Sequence, residues 1–115
     1  YALTEANHGS DIRRLDTKAR RVGDEWIITG EKHFITSGSA AELFVILAET
    51  ERGVSVFAVP RDTAGLSIYK GRNSATFGLR NGPHMNVRFE EARVPSDHLI
   101  GEEGRGVKQA VTVLN

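Results

Sequence analysis

A chain of 115 residues, 39% hydrophobic and 26% charged, is long enough for one domain with one core and is not composed like a disordered segment. Lys+Arg and Asp+Glu balance at 15 each, which argues against nucleic-acid binding through a strong overall positive field. There is no cysteine, so disulfides and thiolate metal sites are excluded.

His8, His33, His84 and His98 are scattered without ligand-like spacing, and no metal site is expected. No apolar run reaches the length of a membrane span. Neither a signal peptide nor an initiator Met is visible, and the chain reads as a piece of something longer.

In chain order, Tyr1–Leu3 reads as the end of a strand and Glu5–Gly9 as a loop. Ser10 or Asp11 is placed to cap a brief turn over Ile12–Leu15. Thr17–Val22 alternates, Gly23-Asp24 signals a turn, and Glu25–Thr36 is rich in strand formers, so these segments are expected to form a hairpin. Gly30 inside the second strand predicts a bulge or bend. Because a bulge changes which face later residues take, counting from Trp26 does not assign Phe34 or Thr36 to a face.

Ser37–Ala41 is a loop of small residues, and the continuous apolar run Leu43–Ala48 suits a strand buried on both faces, a run of six residues being compatible with helix as well. Val54–Val59 follows a polar turn and stops at Pro60; Leu66–Lys70 follows the turn Asp62–Gly65. Gly71–Pro83 is a long polar loop. Met85–Val94 alternates apolar with charged or polar residues, as an edge or half-exposed strand does, and Pro95 ends it. Gly101–Gly106 reads as a hinge. Val107, Ala110, Val111 and Leu114 then form a helical stripe, the opening of a helix. The expected fold is all-β, an antiparallel barrel or sandwich of about six to seven strands with the start of a C-terminal helix.

The first eleven residues and the stretch Lys32–Gly38 stand out chemically. Thr4, Ser10, Thr36 and Ser37 bring hydroxyls that both donate and accept, which suits a ring edge of mixed nitrogens and carbonyl oxygens. Gly9 lets backbone N–H groups approach an anion, Ser10 adds a donor, and Phe34 offers a flat face. The plainer alternative is that Thr and Ser form turns and caps while Phe belongs to the core. Glu5 with Asp11 as an acid–base pair, Arg13, Arg14, Arg20 and Arg21 as a phosphate patch, and His8 as a phosphate contact are weaker than their surface roles.

Ala2-Leu3-Thr4-Glu5, Gly9-Ser10-Asp11 and the run Gly23–Gly38 resemble the central β-domain of acyl-CoA dehydrogenases. So do Phe77-Gly78-Leu79-Arg80, Val87–Pro95 and Leu99–Gly106, all in the family's order and spacing. The resemblance divides the chain into a central β-domain, 1–103, and the start of a helix, 104–115. It implies FAD as cofactor. Tyr1, Ala2, Leu3 and Thr4 would line the flavin, Gly9 and Ser10 would lie near the pyrophosphate, with Ser10 also near the thioester substrate, and Phe34, Ile35 and Thr36 would contact the isoalloxazine. In such an enzyme a hydroxyl at Thr36 stands near flavin N5, which accepts the hydride from the acyl β-carbon.

The resemblance further implies oxidation of an acyl-CoA to a 2,3-enoyl-CoA, with electrons passed to an electron-transfer flavoprotein or another acceptor. A dimeric or tetrameric parent is implied, in the cytoplasm or, in a eukaryote, the mitochondrial matrix. No catalytic residue is expected here: the family's glutamate base belongs to a C-terminal helical domain. The sequence departs from the family pattern at Ala6, where proline is usual, at Phe34, where tryptophan is common, and around Asn81–His84. A flavin oxidase or monooxygenase on the same scaffold and a non-catalytic interaction module are the alternatives.

Overall fold

The structure is a computed structural model that describes residues 15–36, 41–70 and 84–109; the side chains of residues 34–36, 70 and 84 fall outside that description. The strands are β1 (Lys18–Val22), β2 (Glu25–Thr36), β3 (Leu43–Thr50), β4 (Gly53–Pro60), β5 (Leu66–Lys70), β6 (His84–Pro95) and β7 (Leu99–Ile100). They form one sheet in the order β5-β6-β2-β1-β3-β4-β7. A single 3₁₀ turn, Ser96–His98, links β6 to β7. The expected all-β class holds.

Among the described residues the sheet runs from β5 to β7 without closing into a barrel, so of the two expected forms it takes the sandwich. Two details differ from expectation. The sheet's strands are antiparallel except at the centre, where β1 meets β3 in parallel at Lys18 and Glu49. β6 is not an edge strand: it lies between β5 and β2, one face buried through Met85, Val87, Phe89, Ala92 and Val94. Alternation in a sequence reports one wet face, and it cannot report whether a neighbour occupies the strand's side.

The β1–β3 junction is where the sheet folds over. In a flat sheet β2 and β4 would stand three strand spacings apart, about 14 Å. Yet the rings of Trp26 on β2 and Phe57 on β4 lie 5.2 Å apart, edge to face. The two halves therefore pack against each other as a sandwich. Ala19, Trp26, Ile28, Phe44, Ile46, Ala48, Phe57, Val59, Val87, Phe89, Ala92 and Val94 fill the space between them. The run Leu43–Ala48 is buried on both sides, as its unbroken hydrophobicity predicts. Phe44, Ile46 and Ala48 face the main core, while Leu47 joins Leu15, Val54 and Val56 in a second cluster, with Val45 and Val107 packed against it. Leu43 itself stays exposed.

The hairpin β1–β2 turns at Gly23-Asp24, with Gly23 at φ 61°. The bulge expected near Gly30 is present, but its extra residue sits on the partner strand. Ile28 pairs with Ala92 and Gly30 with Phe89, so Thr29 faces both Glu90 and Glu91. Glu91 carries the strain, at φ 50°. Gly30 has another role: a Cβ there would overlap Thr17 of the segment running into β1. A second shift follows. Lys32 pairs with Val87 and Ile35 with Met85, so His33 and Phe34 face Asn86 alone. The two bulges lie on opposite strands and cancel, restoring the original register at Thr36 and His84.

The glycine-rich stretch after β7 is fastened rather than loose. Gly104 N–H donates to Ser55 Oγ at 2.8 Å, and Thr50 Oγ1 bonds Glu103 Oε2 at 3.1 Å. Helical backbone begins at residue 106, and residues 110–115 of the expected helix lie outside the described residues.

Candidate functional site

Strand directions show which segments share an end of the sandwich. β1 starts at Lys18 opposite Thr29 and runs toward the hairpin turn; β2 runs back past Thr29 and ends at Thr36. The described approach to β1, residues 15–17, therefore heads toward the end at which β2 finishes, while Lys18 itself stands level with Thr29, seven residues before Thr36. β3 lies parallel to β1, with Glu49, near its C-terminus, level with Lys18, so its start at Leu43 points to that end as well. Pro60 is paired with Leu43, Met85 with Ile35 and Lys70 with Met85, which brings the end of β4, the start of β6 and the end of β5 to the same rim.

Of the residues singled out in the sequence, Tyr1, Ala2, Leu3, Thr4, Gly9 and Ser10 lie outside the described residues, as does Ser37. Phe34, Ile35 and Thr36 are placed by their backbone. They form the last stretch of β2, directly after the second bulge, with Ile35 and Thr36 paired to β6 at the rim. The turn expected over Ile12–Leu15 is described only at Leu15, which is buried.

The described neighbours show how the strands leading to this rim are held. Away from the rim, Leu15 N–H donates to Glu49 Oε2 at 3.3 Å, Lys18 Nζ lies 3.0 Å from the same oxygen, and Glu49 N–H donates to Thr17 O at 2.9 Å. These contacts tie the approach to β1 onto β3, while Thr17 abuts Gly30 on β2. On the outer face, Glu31 joins two strands: His33 Nε2 is 3.4 Å from Oε1 and Arg88 Nε 3.5 Å from Oε2. The Arg88 guanidinium also stands 5.1 Å from the Tyr69 ring centre on β5. These partly exposed contacts span β2, β6 and β5 and contribute little stability each.

The side chain that sequence inspection missed is Lys32. It is fully enclosed on the core face, in phase with Trp26 and Ile28 and opposite Val87. The sequence did not mark it: only because the first bulge lies on β6 does the period of two along β2 run unbroken from Trp26 to Lys32. Among the described residues no group of three or more His, Asp or Glu gathers to hold a metal, and no helix is long and apolar enough to cross a membrane. A cavity of about 140 Å³ lined by Ala19, Arg20, Arg21, Trp26, Glu51 and Glu103 lies toward the hairpin end, away from the rim.

A strand end carrying an aromatic residue and a hydroxyl residue suits one edge of a flat heterocycle. Residues 1–92 match the family described as acyl-CoA dehydrogenase, middle domain. The chain is 41% identical over 120 residues to cyclohex-1-ene-1-carbonyl-CoA dehydrogenase of Syntrophus aciditrophicus, covering 100% of this chain and 28% of that protein. It superposes on an acyl-CoA dehydrogenase from Geobacillus kaustophilus with a TM-score of 0.91 at 37% identity, over 98% of this chain and 31% of that one. A glutaryl-CoA dehydrogenase from Mycobacterium smegmatis, solved in complex with FADH2, gives 0.88 at 30% identity, over 99% and 29%. The chain thus spans less than a third of the length of these relatives.

Proposed function

The chain belongs to the acyl-CoA dehydrogenase family, as its middle domain, and from that premise we propose that it forms one wall of an FAD site in an enzyme oxidising acyl-CoA thioesters. The observation that carries this reading is the family match over residues 1–92, and the strand directions support it, since the described approach to β1 heads toward the end at which β2 finishes. That is the arrangement two segments need to grip one planar ring. The FADH2 held by the glutaryl-CoA relative supports the choice of cofactor.

The donor set fits a flavin. Thr4 and Thr36 would hold the polar edge of the ring, with Tyr1, Ala2 and Leu3 lining it and Phe34 and Ile35 giving it an apolar face. Gly9 and Ser10 would approach the pyrophosphate, and Ser10 would also meet the thioester. FAD, when bound, would supply the acceptor for the hydride, and with it both electrons, lost from the acyl β-carbon. The chain's own part is to orient the ring and keep one side of it dry. We assign no catalytic base to this chain; the α-proton would go to a glutamate carried outside residues 1–115, residues 1–103 forming the β-domain and 104–115 the start of a helix. The wider reading includes an electron-transfer flavoprotein or similar acceptor, an oligomeric parent, and a cytoplasmic or mitochondrial-matrix location.

The test is the visible absorbance of the full-length protein, recorded without oxygen before and after addition of a panel of acyl-CoA thioesters. A flavin spectrum that bleaches with at least one thioester is the expected result. A colourless protein, or a flavin that none of them reduces, would overturn the reading.

A further inference from the structure

We propose that Lys32 is a positioning residue: its enclosed ammonium sets where the second bulge of β2 falls, and with it how Phe34–Thr36 stand at the rim. The inference rests on the FAD-site reading above. Lysine is almost never fully buried unless its charge is met by a partner. Lys32 is nevertheless 0% exposed, and it is not without an interaction partner. It stands on the core face beside Val87, also 0% exposed, where a valine, leucine or methionine would be the ordinary choice.

Its position in the ladder gives the charge a use. Lys32 is the last residue of β2 in register before the shift, and the unpaired residue falls between it and Ile35. A bulge in an apolar strand is free to slide, because one hydrophobic side chain replaces another inside at little cost. Here sliding the bulge by two positions toward the N-terminus would set Lys32 opposite the outward Arg88 and bring His33 in opposite Val87. An ammonium with three directional donors accepts few places in an interior. A buried charge used this way specifies an arrangement without adding to stability, since an apolar residue of the same shape is often equally stable or more so. Lys32 therefore acts through the backbone of residues 33–36 and touches neither cofactor nor substrate by this argument.

The experiment compares the full-length protein with its Lys32→Met and Lys32→Arg variants. Amide hydrogen exchange is followed over residues 33–36 and 84–87, together with Tm, the flavin spectrum, and kcat and KM for an acyl-CoA the wild type oxidises. Lys32→Met is expected to keep its Tm within a few degrees while exchange at these amides rises roughly tenfold or more. Its kcat is expected to fall about 10- to 100-fold with a smaller change in KM. Lys32→Arg, which keeps the charge and its donors, is expected to recover most of both.

Unchanged exchange and kcat in Lys32→Met would overturn the proposal, as would losses that follow Tm alone and are not relieved by arginine. If Lys32→Met does not accumulate as folded protein, Lys32→Arg decides on the same readouts: wild-type exchange at residues 33–36 supports the proposal, and exchange raised as widely as elsewhere in the sheet refutes it. A wild type that holds no flavin would defeat the functional reading instead, and the exchange data would still decide for or against Lys32.

Discussion

At the scale of single residues, close approach and an unmet donor matter more than surface charge. Gly30 is required by contact rather than by turn chemistry, because a Cβ there would collide with Thr17 of the incoming segment. Gly30→Ala is expected to cost roughly 2–3 kcal/mol, read as a drop in Tm, since backbone on both sides must shift. Gly23, with nothing near its missing side chain, is the matched control. Trp26 gives a second case. Its Nε1 is buried with no hydrogen-bond partner, while its ring packs edge-on against Phe57. Trp26→Phe removes an unsatisfied donor as well as ring area, and the two effects oppose. Its cost is expected to stay below about 1.5 kcal/mol, against about 3–5 kcal/mol for Trp26→Ala. Equal losses in the two variants would show that the indole N–H finds a partner in solution.

At the scale of elements, β3 separates a strand with two buried faces from one with a single buried face. Ile46 belongs to the main core and Leu47 to the cluster with Leu15, Val54 and Val56, and both are 0% exposed. Ile46→Ala and Leu47→Ala are each expected to cost about 2–5 kcal/mol, comparable with one another, by thermal unfolding. A negligible effect of Leu47→Ala would mean that the second cluster is open to water. This double burial was legible in the run Leu43–Ala48 because six consecutive apolar residues leave no side for solvent. The bulges were only half legible. Gly30 announced that something interrupts the ladder, but the extra residue lies on β6, at Glu90-Glu91, and nothing in those two residues marks it. The second bulge, at His33-Phe34, carries no glycine and gave no local signal at all.

At the scale of the whole molecule, the fold-over at the β1–β3 junction brings Trp26 and Phe57 together and makes one core from two half-sheets. The same connectivity gathers the ends of β2, β4 and β5 and the starts of β3 and β6 at one rim. A wall built at a rim leaves the opposite face of a ligand uncovered. The chain expressed alone is accordingly expected to pass through gel filtration without stoichiometric flavin, while the full-length protein retains it. Retention of one FAD per isolated chain would show that this wall suffices by itself.

The sequence by itself determined the strand content, the hairpin at Gly23-Asp24, the doubly buried β3 and, through motifs in the family's order, the family to which the chain belongs. These are local properties: alternation, turn chemistry and apolar runs are written within a few neighbouring residues. Only the tertiary structure decided that β6 is interior, that β1 and β3 meet in parallel, that the two bulges cancel, and that a lysine lies sealed in the core beside Val87. Each of these depends on which distant strand arrives as a neighbour, and pairing across many residues of chain leaves little mark on the residues that take part in it.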